Sequence, residues 1–203
     1  MDAQTILDFI EELGVLKRLP RTGWLFRGIT DCESVADHCY RVSILSMLLA
    51  DSLVSQGVEV NAEKVMRIAL LHEVAEARIG DIPFPAQAYI GEDVKTASEN
   101  AAVRDMFQGF GTLQQQYVAL WEEFEYGTSL EGKLVQAADK LELLIQVFEY
   151  EQVGYRSLDK FWENLWNQRN FDAYSLVREM SQLLVEKRAG LGIAEKQGLG
   201  VRD

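Results

Sequence analysis

Histidine and cysteine are scarce, with two of each in 203 residues, and proline occurs three times. Cys32 and Cys39 are too few and too close for a disulfide framework, and free thiols suit a reducing compartment. They also lack the CxxC or CxxH spacing of a zinc site, which leaves small semi-buried residues as the simpler role. Positive charge is in deficit: 20 Lys and Arg face 32 Asp and Glu, a formal net charge of −12. That balance argues against broad attraction to nucleic acid or to an anionic membrane surface, so a phosphorylated substrate would need local cations. No run approaches the roughly 18 apolar residues of a membrane span. The N-terminal MDAQTILDFIEELG is acidic where a secretory signal is basic, so a cytoplasmic protein is expected.

What the chain does contain is helical patterning over a hydrophobic content of 48%. Its length suits one domain, expected over 1–188, with a mobile tail over 189–203 that carries four glycines and no sustained stripe. Ile6, Phe9, Ile10 and Leu13 predict a first helix over 3–17. The segment 18–33, RLPRTGWLFRGITDCE, breaks the pattern and concentrates Arg18, Arg21 and Arg27. It is either a surface turn with locally paired arginines or an anion clamp. Ser34 or Asp37 is placed to cap a helix running to about Gly57, and Asn61 to cap another that Gly80 ends. Pro83 and Pro85 predict a rigid extended stretch over 81–85. Further helices are expected over 92–108, 112–126 and 129–153, then around Phe161–Trp166 and Tyr174–Leu184, with no strand anywhere. The fold class is therefore all-α.

Both histidines lie in acidic, apolar settings. Leu70–Glu76, LLHEVAE, holds an imidazole and two carboxylates within five residues, and at about 100° per residue His72, Glu73 and Glu76 can face one cavity. His38 from a neighbouring helix and Asp139 from the long one would complete two nitrogen and two carboxylate ligands, a set suited to Mn, Fe, Co, Ni or Zn. The alternative is a solvent-facing Glu73 paired with Arg67 or Arg78. Burying such acids without a cation or extensive pairing would be costly.

The order PRTGW, ESVADH (33–38), LLHEVAEARIGDIP (70–83) and VQAADKLE (135–142) resembles the HD-domain metal-dependent phosphohydrolases, especially their deoxyribonucleoside 5'-monophosphatase branch, over about residues 5–155. The resemblance implies a helical bundle around one divalent metal held by His38, His72, Glu73 and Asp139. It assigns Glu76 to the attacking water and leaving oxygen, Asp81 to the sugar and leaving group, Trp24 to the border of the nucleotide, and Arg21 to the phosphate. Two positions depart from the pattern. Gly23 precedes the tryptophan where some members have arginine, and Glu73 stands where the family name demands Asp, moving the carboxylate by about 1.5 Å.

The expected activity is metal-dependent hydrolysis of nucleoside 5'-monophosphates, with a catalytically impaired nucleotide or metal-dependent sensor as the alternative. Oxygenase chemistry would need a second metal and histidines that the chain lacks. The family also implies a homodimer, for which the aromatics at 161–166 would supply either an interface or core closure.

Overall fold

Sixteen of the 23 residues of the helix Leu130–Gln152 are buried, too many for one amphipathic face, so other elements must surround it on all sides. The computed structural model describes residues 2–192. In chain order its helices are α1 (Ala3–Leu13), α2 (Thr22–Leu25), α3 (Val35–Ser55), α4 (Ala62–Leu71), α5 (Glu76–Ile79), α6 (Phe84–Ile90), α7 (Glu92–Met106), α8 (Gln114–Tyr126), α9 (Leu130–Gln152), α10 (Asp159–Glu163) and α11 (Ser175–Ala189). Among the described residues there is no strand, and one isolated antiparallel bridge joins Pro20 to Ser34. The all-α expectation therefore holds.

Helix ends follow local chemistry. Ser34 caps α3 and Asp37 closes the box by accepting from the Ser34 backbone, so both candidate residues take part. Asn61 and Ser129 cap α4 and α9 through their side chains, and Gly127 ends α8 in the left-handed conformation. Helices α3, α4, α8 and α11 pack on α9, and Val42, Ile68, Leu134, Leu141 and Val177 form the main core.

Two smaller apolar clusters hold irregular backbone in place. Val74 and Ala75 insert among Val103, Phe107 and Trp121, which fixes the segment after α4. Trp24 and Ile29 pack on Leu143, Val147 and Leu158, which fixes the segment before α3. Backbone bonds from Arg21 to Glu33, Val35 to Leu19 and Ala36 to Leu16 stitch that segment to the start of α3.

Several expected elements differ from those observed: the first helix, expected over 3–17, ends at Leu13, and the region around 161–166 is split at the extended Asn164. The helix from Asn61 to Gly80 is broken: α4 stops at Leu71, His72 is its C-cap, and α5 starts at Glu76. Between them the chain makes tighter i→i−3 bonds, Val74 to Leu71 and Glu76 to Glu73, while Val74 and Ala75 turn into the second cluster. The stretch 81–85 is extended only to Pro83, the N-cap of α6, and Pro85 lies in that helix's first turn, where a missing N–H costs no helical bond. Residues 108–113 form a 3₁₀ segment, so α8 begins at Gln114. Of the expected mobile tail, 193–203 lies outside the described residues; Ala189 still belongs to α11.

Gly132 marks the closest approach of two helices. A Cβ there would stand 2.1 Å from the Glu123 carbonyl oxygen of α8. Helix propensity alone favours alanine over glycine by roughly 0.5–1 kcal/mol. The steric conflict is with backbone and reverses the sign, so Gly132→Ala should destabilise the protein by about 1–3 kcal/mol in urea unfolding. An unchanged or raised midpoint would refute the close packing of α8 on α9.

Candidate metal centre

His38 lies one turn into α3, His72 caps α4, Glu73 starts the turn that follows, and Asp139 sits mid-way along α9. These residues, more than 100 positions apart at the extremes, converge: one ligand atom from each lies within 4.8 Å of all the others. His38 Nε2 is 3.3 Å from Asp139 Oδ1 and 3.9 Å from Glu73 Oε1, and His72 Nε2 is 3.8 Å from the same Glu73 oxygen. Both imidazoles are tied at Nδ1, to Glu142 Oε2 at 2.5 Å for His38 and to the Ala69 carbonyl at 2.7 Å for His72. Their Nε2 atoms, with Asp139 Oδ1, are buried without hydrogen-bond partners.

That pattern is difficult to explain without a cation. Buried polar atoms are normally satisfied, and three orphaned atoms aimed at one point are the signature of ligands. Two imidazole nitrogens and two carboxylates fit a borderline divalent metal. A second grouping of Glu33, His38 and Glu142 has comparable spacing, but neither acid lines the cavity and Glu142 is already held by Arg41.

Glu73, Asp139 and Glu142 each have a cation beside them. Arg21 reaches Glu73 at 3.2 Å, Lys140 reaches Asp139 Oδ2 at 2.9 Å, and Arg41 reaches Glu142 at 2.7 Å. Burial works against every ionised carboxylate here, yet Lys140 and His38 hold Asp139 well below the usual range, and His72 and Arg21 hold Glu73 below it. Burial and Arg21 depress His38, but its ion pairs with Asp139 and Glu142 prevail and raise it to about 9. Burial instead lowers His72. The notional solvent-facing Glu73 does not occur: its oxygen stands between the histidines, while Arg67 pairs with Glu63 and Arg78 with Glu12 and Asp105.

The cluster forms part of the wall of a cavity of about 870 Å³, to which Arg21, Trp24, His72, Glu73, Glu76 and Asp139 contribute. Glu76 is buried with Oε2 unpartnered, and burial together with Glu73 and Asp81 pushes its acid well above the ordinary range. Asp81 also lines the cavity, but its Oδ2 accepts from the Thr22 backbone at 2.7 Å and its carbonyl accepts from the Thr22 hydroxyl at 2.8 Å. It therefore braces the Arg21–Trp24 turn. Trp24 is 1% exposed, meets Tyr150 in a T-shaped contact and Phe161 at a tilt, and donates its indole N–H to Glu33 at 2.9 Å. Of the loop arginines, Arg21 enters the cluster and Arg27 lies over the Phe161 ring.

Several residues of this surrounding shell carried no expected role. Glu33 and Glu142 belong to the motifs ESVADH and VQAADKLE; the spacing of Asp139 and Glu142, three apart on a helix, was the available signal. Lys95 and Glu99 on α7 also line the cavity, paired at 2.5 Å, and Glu99 keeps one buried oxygen unpartnered. No periodicity could place them there, because α7 reaches the site only through tertiary packing.

With the geometry in view, comparison with known proteins is informative. The family model for the HD domain matches residues 13–178. The chain is 32% identical over 198 residues to the human protein named 5'-deoxynucleotidase HDDC2, covering 96% of this chain and 92% of that one. It is 35% identical over 164 residues to 5'-deoxynucleotidase hdd1 of Schizosaccharomyces pombe, covering 77% and 79%. Among solved structures, a conserved hypothetical protein from Pyrococcus furiosus superposes with a TM-score of 0.74 at 39% identity, covering 90% of this chain and 99% of that one. With the family model matched over most of the chain and a relative 32% identical over nearly all of it, the chain belongs to the HD-domain family.

Proposed function

We propose that the chain is a metal-dependent phosphomonoesterase that hydrolyses deoxyribonucleoside or ribonucleoside 5'-monophosphates to nucleoside and phosphate. The observation that carries it is the pair of partnerless Nε2 atoms facing Asp139 and Glu73 beside a cavity large enough for a nucleotide. The relatives' names support the substrate class. So do the exposed aromatic residues Phe26, Phe84 and Trp166 along the cavity, which offer apolar surface to a base.

His38, His72, Glu73 and Asp139 would hold one divalent ion of the Mn, Fe, Co, Ni or Zn group. Bound there, it supplies Lewis-acid polarisation of a phosphoryl oxygen and a lowered pKa for an attacking water. The chain's own groups do the remainder. Arg21, already among the anions of the site, neutralises phosphate charge. Glu76, buried in the cavity wall with Oε2 unpartnered, is placed for acid–base work: it takes a proton from the water as the new P–O bond forms and returns one to the departing 5' oxygen. Asp81 keeps Arg21 and Trp24 in register through Thr22, and its remaining carboxylate oxygen is available to the sugar. Trp24 acts as a buried wall behind the substrate, since it is 1% exposed and packed against Tyr150 and Phe161.

The protein acts as a single HD domain over 1–188, in the cytoplasm, where the thiols of Cys32 and Cys39 remain free. Among the described residues no helix is long and apolar enough to cross a membrane. The chain works as a homodimer. Of the aromatic segment 161–166, Phe161 and Trp162 pack inward, whereas Leu165 and Trp166 stay exposed. A better-developed apolar stripe for the partner is Tyr40, Ile44 and Leu48 on one face of α3.

Phosphate release from a panel of deoxy- and ribonucleoside monophosphates, after stripping and reloading with Mn, Co, Zn or Mg, tests the activity. Turnover of at least one nucleotide is expected, and binding without turnover under every metal would establish the sensor instead. Glu76→Gln should lower kcat by 100-fold or more, at the scale of about 10²–10⁴ for a lost acid–base group, while metal content stays at the wild-type level. Comparable turnover would remove Glu76 from the chemistry. Glu73→Asp, although it restores the family's usual residue, withdraws the carboxylate by about 1.5 Å on this backbone and should weaken metal retention during dialysis. Tighter retention in the variant would show that the turn relaxes to suit the shorter acid.

A further inference from the structure

The two histidines of the cluster are supported unequally. His72 Nδ1 meets a neutral backbone carbonyl, that of Ala69. His38 Nδ1 meets a carboxylate, Glu142 Oε2, at 2.5 Å, with the two side chains 0% and 1% exposed. The other oxygen of Glu142 accepts from Arg41 Nε at 2.8 Å, and Arg41 extends to the half-exposed Glu149 at 2.7 Å. Neither Glu142 nor Arg41 is among the residues that line the cavity.

A buried carboxylate bonded to an imidazole does two things. It fixes which ring nitrogen carries the proton, turning the opposite lone pair toward the metal, and its charge makes that lone pair a stronger donor. Glu142 is itself constrained on both oxygens, by His38 on one side and Arg41 on the other, so the His38 ring has one allowed orientation. Its position three residues after Asp139 on α9 means that one rigid helix supplies both a ligand and the support for a second ligand on α3.

We propose that Glu142, clamped by Arg41, is a positioning residue that orients His38 and strengthens it as a metal ligand, making His38 the more tightly held of the two imidazoles. The same shell reaches the substrate wall. Glu33, whose carboxylate lies within 4.8 Å of the His38 and Glu142 ligand atoms, accepts the Trp24 indole N–H. The inference rests on the metal role of the cluster, and its test separates the two.

Metal-stripped wild type, Glu142→Gln and Arg41→Leu are titrated with Co(II) against a competing chelator, with the Co(II) absorption spectrum recorded and the metal-free proteins unfolded in urea. Gln keeps the shape and a hydrogen-bond acceptor but removes the charge. It should weaken Co(II) affinity by about 10–100-fold and shift the visible band, as loss of an outer partner does at other metal sites. Arg41→Leu leaves Glu142 in place but unclamped and should weaken affinity by a smaller factor, roughly threefold to tenfold. At saturating metal, KM for a nucleotide should stay within about twofold of wild type in Glu142→Gln, because the residue does not reach the cavity. Wild-type affinity and spectrum in Glu142→Gln would overturn the positioning role while leaving the metal centre intact. If that variant does not fold, wild-type affinity in Arg41→Leu would overturn it equally. A wild-type protein that binds no divalent ion would overturn the metal centre itself, and this role with it.

Discussion

The constraint on which the molecule depends is the burial of ionisable side chains at one point between α3, the end of α4 and α9. His38, His72, Asp139 and Glu142 are each 2% exposed or less, in surroundings where an isolated charge costs several kcal/mol. The fold answers with adjacent cations, Arg21 for Glu73, Lys140 for Asp139 and Arg41 for Glu142. These pairings offset the carboxylate charge and leave the imidazole Nε2 atoms without hydrogen-bond partners. The acids are thus charge-paired, while a set of nitrogen and oxygen atoms that could hold a metal stays unsatisfied. Replacing one of its acids by a neutral residue would leave an uncompensated buried cation, so such changes read out on stability.

Two of the functional segments are not regular structure, and that is a consequence of what they do. A continuous helix from Asn61 to Gly80 would place His72, Glu73 and Glu76 by helical geometry alone. The chain instead leaves the helix at Leu71 and re-enters it at Glu76, with Val74 and Ala75 anchored in an apolar cluster between them. Likewise the 18–33 segment has only one short helix, but Trp24 and Ile29 are buried against α9, and Asp81 holds Thr22. Hydrophobic anchors beside the polar groups provide the rigidity that hydrogen-bonded helix provides elsewhere.

The bundle was legible in the sequence because its determinants are local. Asn61, Ser129 and Gly127 are caps whose side chains or lack of one act within four residues, and the stripe through Leu134, Leu141 and Phe148 follows helical period. That His38, His72, Glu73 and Asp139 converge was anticipated from the scarcity of histidine, which left few arrangements, and from the motifs that carry the two acids. What escaped was whatever only tertiary packing decides. The break at residues 72–75 conflicts with an uninterrupted apolar pattern, since the same valine and alanine serve a helix face or a satellite cluster equally well. Glu142 looked like one more acid of an acidic chain, and Lys95 and Glu99 belong to a helix whose sequence says nothing about the cavity it lines.

Glu73 shows why these two levels have to be combined. Judged by pattern, glutamate in place of aspartate lengthens the arm by one methylene and so threatens a site that needs sub-ångström placement. Judged by position, the residue begins a turn rather than continuing a helix, and its Oε1 comes to rest almost equidistant from the two Nε2 atoms, at 3.9 and 3.8 Å, with Arg21 at 3.2 Å on the same oxygen. A longer acid on this turn both reaches the histidines and engages the arginine that faces the cavity. The departure from the family pattern therefore ties the histidine cluster to the arginine of the cavity wall through a single carboxylate oxygen. An aspartate on the same backbone, shorter by about 1.5 Å, would have to give up one of those contacts.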